Sequence, residues 1–96
     1  MDKYLIGLTI RDAVNSAEDM GLRRLSKLKF ELGFGELIIL VNPSRDLRGI
    51  PRESEVMLTP GAKRRGDYRE IFLLCSARDL KRTHLIGSVT KCLNRK

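Results

Sequence analysis

The sixteen residues from Ala17 to Leu32, AEDMGLRRLSKLKFEL, constrain this chain most, because a helix stop, a helix restart and a run of cations fall together there. Leu25, Leu28 and Leu32 recur at the i, i+3, i+7 spacing that lines one side of a helix, and Arg23, Arg24, Lys27 and Lys29 lie around that line. The pattern predicts a helix over 22–32 that mounts a charged face on a buried one. A hairpin competes with it. Leu28, Phe30, Leu32 and Phe34 alternate with period two, and ELIILV at 36–41 is rich in strand formers, so the chain has the option of turning at Gly33-Phe34-Gly35. The helix is preferred because its apolar line continues that of the preceding segment.

That segment, residues 3–20, places Ile6, Ile10, Ala13, Ala17 and Met20 at spacings of three and four, and Gly21 supplies a stop. Gly7 weakens its opening turn, which leaves Thr9 as an N-cap for a later start. From Asn42 to Pro60-Gly61 the turn-forming residues are dense, with room only for a short helix over 52–57 behind Pro51. A basic loop, Lys63-Arg64-Arg65-Gly66, follows. Asp67 then suits the N-cap of a helix in which Tyr68, Ile71, Phe72 and Cys75 form one stripe. Asp79 suits the cap of a last helix whose inward face is Leu85, Ile86, Val89, Cys92 and Leu93.

Five aromatic residues without a Trp leave a core of Leu, Ile and Val, which suits small helices in a single domain spanning 1–96. The net charge of +7 favours an acidic partner: nucleic acid, an acidic protein face or an anionic membrane. Cys75 and Cys92 match neither a CxxC pair nor a zinc set, so both read as reduced, buried thiols and no metal site is expected. No apolar run approaches about 18 residues, and YLIGLTI lacks the flanks of a leader, which places the chain in the cytosol or nucleus and off the membrane. His84 has no evident Ser or Cys partner, the carboxylates are scattered, and Gly33-Phe34-Gly35 is no phosphate loop, so neither enzymatic activity nor a cofactor is expected.

Taken in order, the elements resemble the pyrin domain of the death-fold superfamily. AEDMG followed by LSKLKFEL is similar to the family's junction and second helix, Gly49-Ile50-Pro51-Arg52 to the entry to its third helix, and Asp67 to Leu73 to its acid-started fourth. The resemblance implies an all-α, compact death-fold bundle of five to six helices. It also implies an unlike-to-unlike contact in which a basic face meets the acidic face of the next molecule. The basic face here falls on Arg24, Lys27, Lys29, Arg48 and Arg52, and the acidic face on Glu18, Asp67 and Glu70, thinned by cations nearby. A lopsided domain of this kind resembles the pyrin-only proteins, which bind the inflammasome adaptor ASC or a sensor and limit assembly. The alternative is a basic helix-turn-helix nucleic-acid binder: Ala17 to Gly21 matches the A-x-x-x-G turn, with residues 22–32 as recognition helix.

Overall fold

The computed structural model describes residues 2–84. These residues form a six-stranded sheet flanked by three helices, an α/β architecture in place of the expected all-α death-fold bundle. The chain runs through β1 (Lys3–Ile6), α1 (Ile10–Asp19), β2 (Arg24–Ser26), β3 (Lys29–Leu32) and β4 (Gly35–Ile39). It continues through the one-turn α2 (Pro43–Asp46), a 3-10 turn (Leu47–Gly49), β5 (Glu55–Leu58), a second 3-10 turn (Pro60–Arg64), α3 (Tyr68–Ala77) and β6 (Lys81–His84).

The strand order is β2-β3-β4-β1-β5-β6. β1 sits in the middle of a parallel block, paired with β4 on one side and β5 on the other, and β6 extends the block beyond β5. β2 and β3 continue the sheet from β4 as an antiparallel ribbon.

Alternation along the central strands decides which layer each side chain joins. Leu5 and Ile39 point to the face covered by α1, where they meet Ala13, Ala17, Phe30 and Leu37. Ile6, Val56 and Leu58 point to the other face, where Leu47, Ile71 and Cys75 close over them. Both faces of the parallel block are thus covered, as such sheets require. The chain leaves β1 with α1 on one face and leaves β4 and β5 with α2 and α3 on the other, which makes the fold doubly wound.

Two expected helices survive, the first only in part: of the stretch 3–20, Lys3–Ile6 is strand β1, because Leu5 and Ile6 alternate into opposite core layers, and only Ile10–Asp19 is helix. α1 starts behind Thr9, whose hydroxyl accepts the Asp12 N–H at 3.1 Å, and ends before Gly21, which holds a left-handed φ of +78°. α3 begins after Asp67 and buries Ile71 and Cys75 completely, while Phe72 from the expected stripe stays 41% exposed.

The expected helix over 22–32 is instead the β2-β3 ribbon, and the hairpin closing at Gly33-Phe34 is the arrangement found, with Leu32 paired to Gly35. The deciding residue is Phe30. On a helix it would sit off the Leu25-Leu28-Leu32 line, whereas on a strand it inserts fully into the core opposite Leu37 and leaves Lys29 and Glu31 in water. Leu25, a member of the helical line, is 40% exposed. The short helix over 52–57 gives way to β5, because Glu53 adopts a left-handed φ of 66° and Val56 and Leu58 then alternate into the core beside β1. Asp79 caps no helix: at φ 57° it turns the chain out of α3, and Leu80 donates back to the Cys75 carbonyl at 2.8 Å before β6 begins. The expected inward face from Leu85 to Leu93 lies outside the described residues.

Candidate functional site at the carboxyl edge of the sheet

In a doubly wound sheet the natural binding crevice lies beyond the carboxyl ends of two neighbouring strands whose following segments leave in opposite directions. Here those strands are β1 and β5. The loop after β1, Gly7-Leu8-Thr9, feeds α1 on one face, and the loop after β5, Thr59-Pro60-Gly61, feeds the second 3-10 turn and α3 on the other.

The crevice floor is filled by the protein's own charges. The Asp12 carboxylate reaches back from the first turn of α1, accepts the Leu8 N–H at 2.8 Å and accepts the hydroxyl of Thr59 at 2.6 Å. Thr59 is completely buried, so this carboxylate is the acceptor that satisfies its hydroxyl. The close approach explains Gly7: an added Cβ would lie 2.7 Å from the Ala13 nitrogen and 2.8 Å from Asp12 Oδ2. Gly61 guards the same carboxylate from the other side, with a Cβ placed 2.9 Å from it.

Beside this lock, Arg65 donates to the Gly7 and Leu8 carbonyls at 3.0 and 3.4 Å and forks onto Asp67 at 2.7 and 3.1 Å. That hydrogen-bonded guanidinium is the first reason the Asp67 carboxyl is held below its ordinary range. The Ser44 hydroxyl lies 3.3 Å from Asp67 and 3.1 Å from Glu70, bringing α2 into the same network. A phosphate seated in the β1-α1 turn would have to displace the Asp12 carboxylate.

The rim is different. Lys63 and Arg64 end the second 3-10 turn, Arg69 lies in the first turn of α3 and Arg11 in the first turn of α1. All four are exposed, and among the described residues none has a carboxylate within ion-pair distance. Asp12 and Glu70 are the two acids at this edge without a cation partner, which leaves the rim with surplus positive charge. The amino ends of α1 and α3, each ten residues long, add their partial positive charge on the same side.

The residues expected to form two partner-binding faces are scattered, and most are already engaged. Arg24 and Glu18 pair with each other at 3.9 Å, between β2 and α1, and Arg24 also donates to the Ser26 and Lys27 carbonyls. Lys29 pairs with Glu36 on the neighbouring strand at 3.8 Å. Lys27 is exposed in the β2-β3 turn, Arg48 donates to the Ser44 carbonyl, and Arg52 lies by the amino end of β5, 3.6 Å from Asp79. Asp67 and Glu70 belong to the carboxyl-edge network instead of an acidic docking face. The helical surfaces that a pyrin contact or a helix-turn-helix would use are therefore not formed, since residues 22–32 are a ribbon.

Asp12, Thr59, Lys63, Arg64 and Arg65 were outside the expected site. The available signal was Gly7-Leu8-Thr9 ahead of a helix together with the basic 63–65 run, but it carries meaning only once β1 and β5 are known to be neighbours.

At the opposite edge an open cleft of about 460 Å³ lies between Lys3, Arg52, Glu53, Glu55 and Lys81. Its charges are largely mated, Lys3 to Glu55 at 3.2 Å and Arg52 to Asp79 at 3.6 Å. Thr83 also donates to Glu55, the leading reason that carboxyl is held below its usual range. Among the described residues no group of His, Cys, Asp and Glu is arranged to hold a metal, and no helix is long and apolar enough to cross a membrane.

No family model, curated protein or solved structure matches the chain.

Proposed function

We propose that this chain is a nucleic-acid-binding module that contacts phosphates through the rim of its carboxyl edge. The observation that carries the reading is the sorting of the cations. Most of those around the ribbon and the amino edge, Arg23, Arg24, Lys29, Lys3 and Arg52, lie within ion-pair distance of a carboxylate of the same chain, with Lys27 and Lys81 the exceptions, whereas at the carboxyl edge Lys63, Arg64, Arg69 and Arg11 all lack such a partner among the described residues. Unmated exposed cations arranged around one edge suit a ligand that carries several phosphates. The filled floor argues against a single buried phosphate, because the Asp12 carboxylate already occupies that position. A buried, free Cys75, whose pKa burial pushes up, suits the reducing cytosol or nucleus where such a ligand is found.

The test is fluorescence anisotropy with a labelled oligonucleotide across a salt series. Release of counterions from about four contacted phosphates gives a slope of log K against log salt of about −3 to −4. Charge reversal in Lys63→Glu/Arg64→Glu abolishes binding in a chain that still melts cooperatively, while Arg24→Gln/Lys29→Gln leaves affinity within about twofold because those cations are already spoken for. Binding that depends on Arg24 and Lys29 but not on Lys63 and Arg64 would overturn the assignment.

A further inference from the structure

The rim continues into a strip of aromatic rings between α3 and β6. On α3, Tyr68 and Phe72 are four residues apart and share one flank. On β6, Arg82 and His84 are two residues apart and face α3, since they pair with the inward-pointing Val56 and Leu58. The four side chains meet between helix and strand. The Tyr68 ring lies 6.5 Å from Phe72 and 6.4 Å from His84, its hydroxyl sits 3.0 Å from His84 Nε2, and the Arg82 guanidinium stacks 3.6 Å from the centre of Phe72.

This strip is not sealed into the core. Phe72 remains 41% exposed and its neighbour Leu73 60%, while His84 is exposed at the carboxyl end of β6. Rim cations border it: Lys63 is close enough to help hold His84 below its ordinary pKa, and Arg69 lies one residue after Tyr68 and one helical turn before Phe72. Arg82 has no carboxylate partner among the described residues, so its charge adds to the strip's positive field.

Resting on the rim as a phosphate-binding surface, we propose that the preferred ligand is single-stranded nucleic acid, with unpaired bases stacking on Tyr68, Phe72 and His84 while Lys63, Arg64 and Arg69 hold the backbone. The chemistry selects this ligand because a duplex keeps its base faces covered and presents only phosphates and groove edges. A single strand offers both the anionic backbone and the bare π-faces that rings and guanidinium planes take up without regard to sequence.

The probes are a labelled twelve-nucleotide oligothymidine, the corresponding abasic twelve-mer, a duplex of mixed sequence and heparin, each titrated against the full chain at fixed salt. Oligothymidine binds about tenfold or more tighter than the abasic strand, and its binding quenches tyrosine fluorescence, a readout that needs no variant. Phe72→Leu and Tyr68→Leu each weaken oligothymidine binding by about tenfold and leave the abasic strand and heparin unchanged. Equal affinity for the oligothymidine and abasic strands would overturn the stacking inference while leaving the rim reading intact. Absence of salt-dependent binding to every probe would sink the rim reading on which it rests.

Discussion

Replacing Asp12 with Ala probes the carboxyl-edge lock directly, because one carboxylate there answers two donors. The Thr59 hydroxyl is fully buried and loses its acceptor, which costs about 1–3 kcal/mol for an unsatisfied buried group. The Leu8 N–H loses a charge-assisted bond, and α1 loses the acid in its first turn, worth about 0.3–1 kcal/mol at an exposed helix start. Together these predict a loss of about 2–4 kcal/mol, or about 10–30 °C in Tm for a domain of this size.

The sharper expectation comes from adding Thr59→Val. In the native background Thr59→Val removes a bond to a carboxylate and destabilises by about 1–2 kcal/mol. In the Asp12→Ala background it removes the orphaned hydroxyl and restores stability, so the double variant melts above Asp12→Ala alone. Differential scanning calorimetry on the four chains closes the cycle. Additive effects, or a double variant less stable than Asp12→Ala, would refute the view that Asp12 stabilises chiefly by satisfying Thr59.

Two further expectations follow from the same edge. Gly7→Ala forces its methyl against the Ala13 nitrogen and the Thr9 carbonyl as well as Asp12, backbone atoms that have little room to yield, and costs about 2–3 kcal/mol, whereas Gly66→Ala, where a methyl meets nothing within 4 Å, stays within about 0.5 kcal/mol in urea titrations. His84 is held below its ordinary value of 6.5, first by burial and then by Lys63 and Arg82, so it is neutral at pH 7; acidification through 6.5 and below lowers the stability of the free chain but adds a cation beside the bound phosphates, and oligothymidine affinity rises toward pH 5 in the native chain and stays flat in His84→Gln.

Local signals were legible wherever one element decided its own fate. Thr9 and Gly21 bracket α1 because a hydroxyl cap and a left-handed glycine act within a single turn. Asp67 does mark the start of α3, though for another reason: its carboxylate goes to Arg65, and no side-chain capping bond is made. The stretch 22–32 is not decided locally, because two periodicities coexist there and the choice belongs to distant residues. Phe30 gains a buried site and strand partners only once β4 lies alongside, and β4 in turn depends on β1 for its other edge. The pyrin resemblance takes amphipathic spacing as helix in three places, two of which are strand or turn in the fold.

The candidate site was hidden for a related reason. Its identity rests on strand order, which no local window contains. Forty-seven residues separate Thr59 from Asp12, and 58 separate Arg65 from the Gly7 carbonyl it holds. Charge counting over the whole chain pointed to an acidic partner but could not separate mated cations from free ones, and that separation is what moves the site. Arg24 and Lys29 look prominent in sequence because they crowd an apolar line, yet Glu18 on α1 and Glu36 on β4 answer them. Lys63 and Arg64 look like an ordinary solvated loop, yet the second 3-10 turn carries them to the mouth of the β1-β5 crevice, next to an aromatic strip contributed by α3 and β6. In this fold, the surplus charge at the carboxyl edge follows from which cations topology leaves unanswered more than from where charge is densest along the chain.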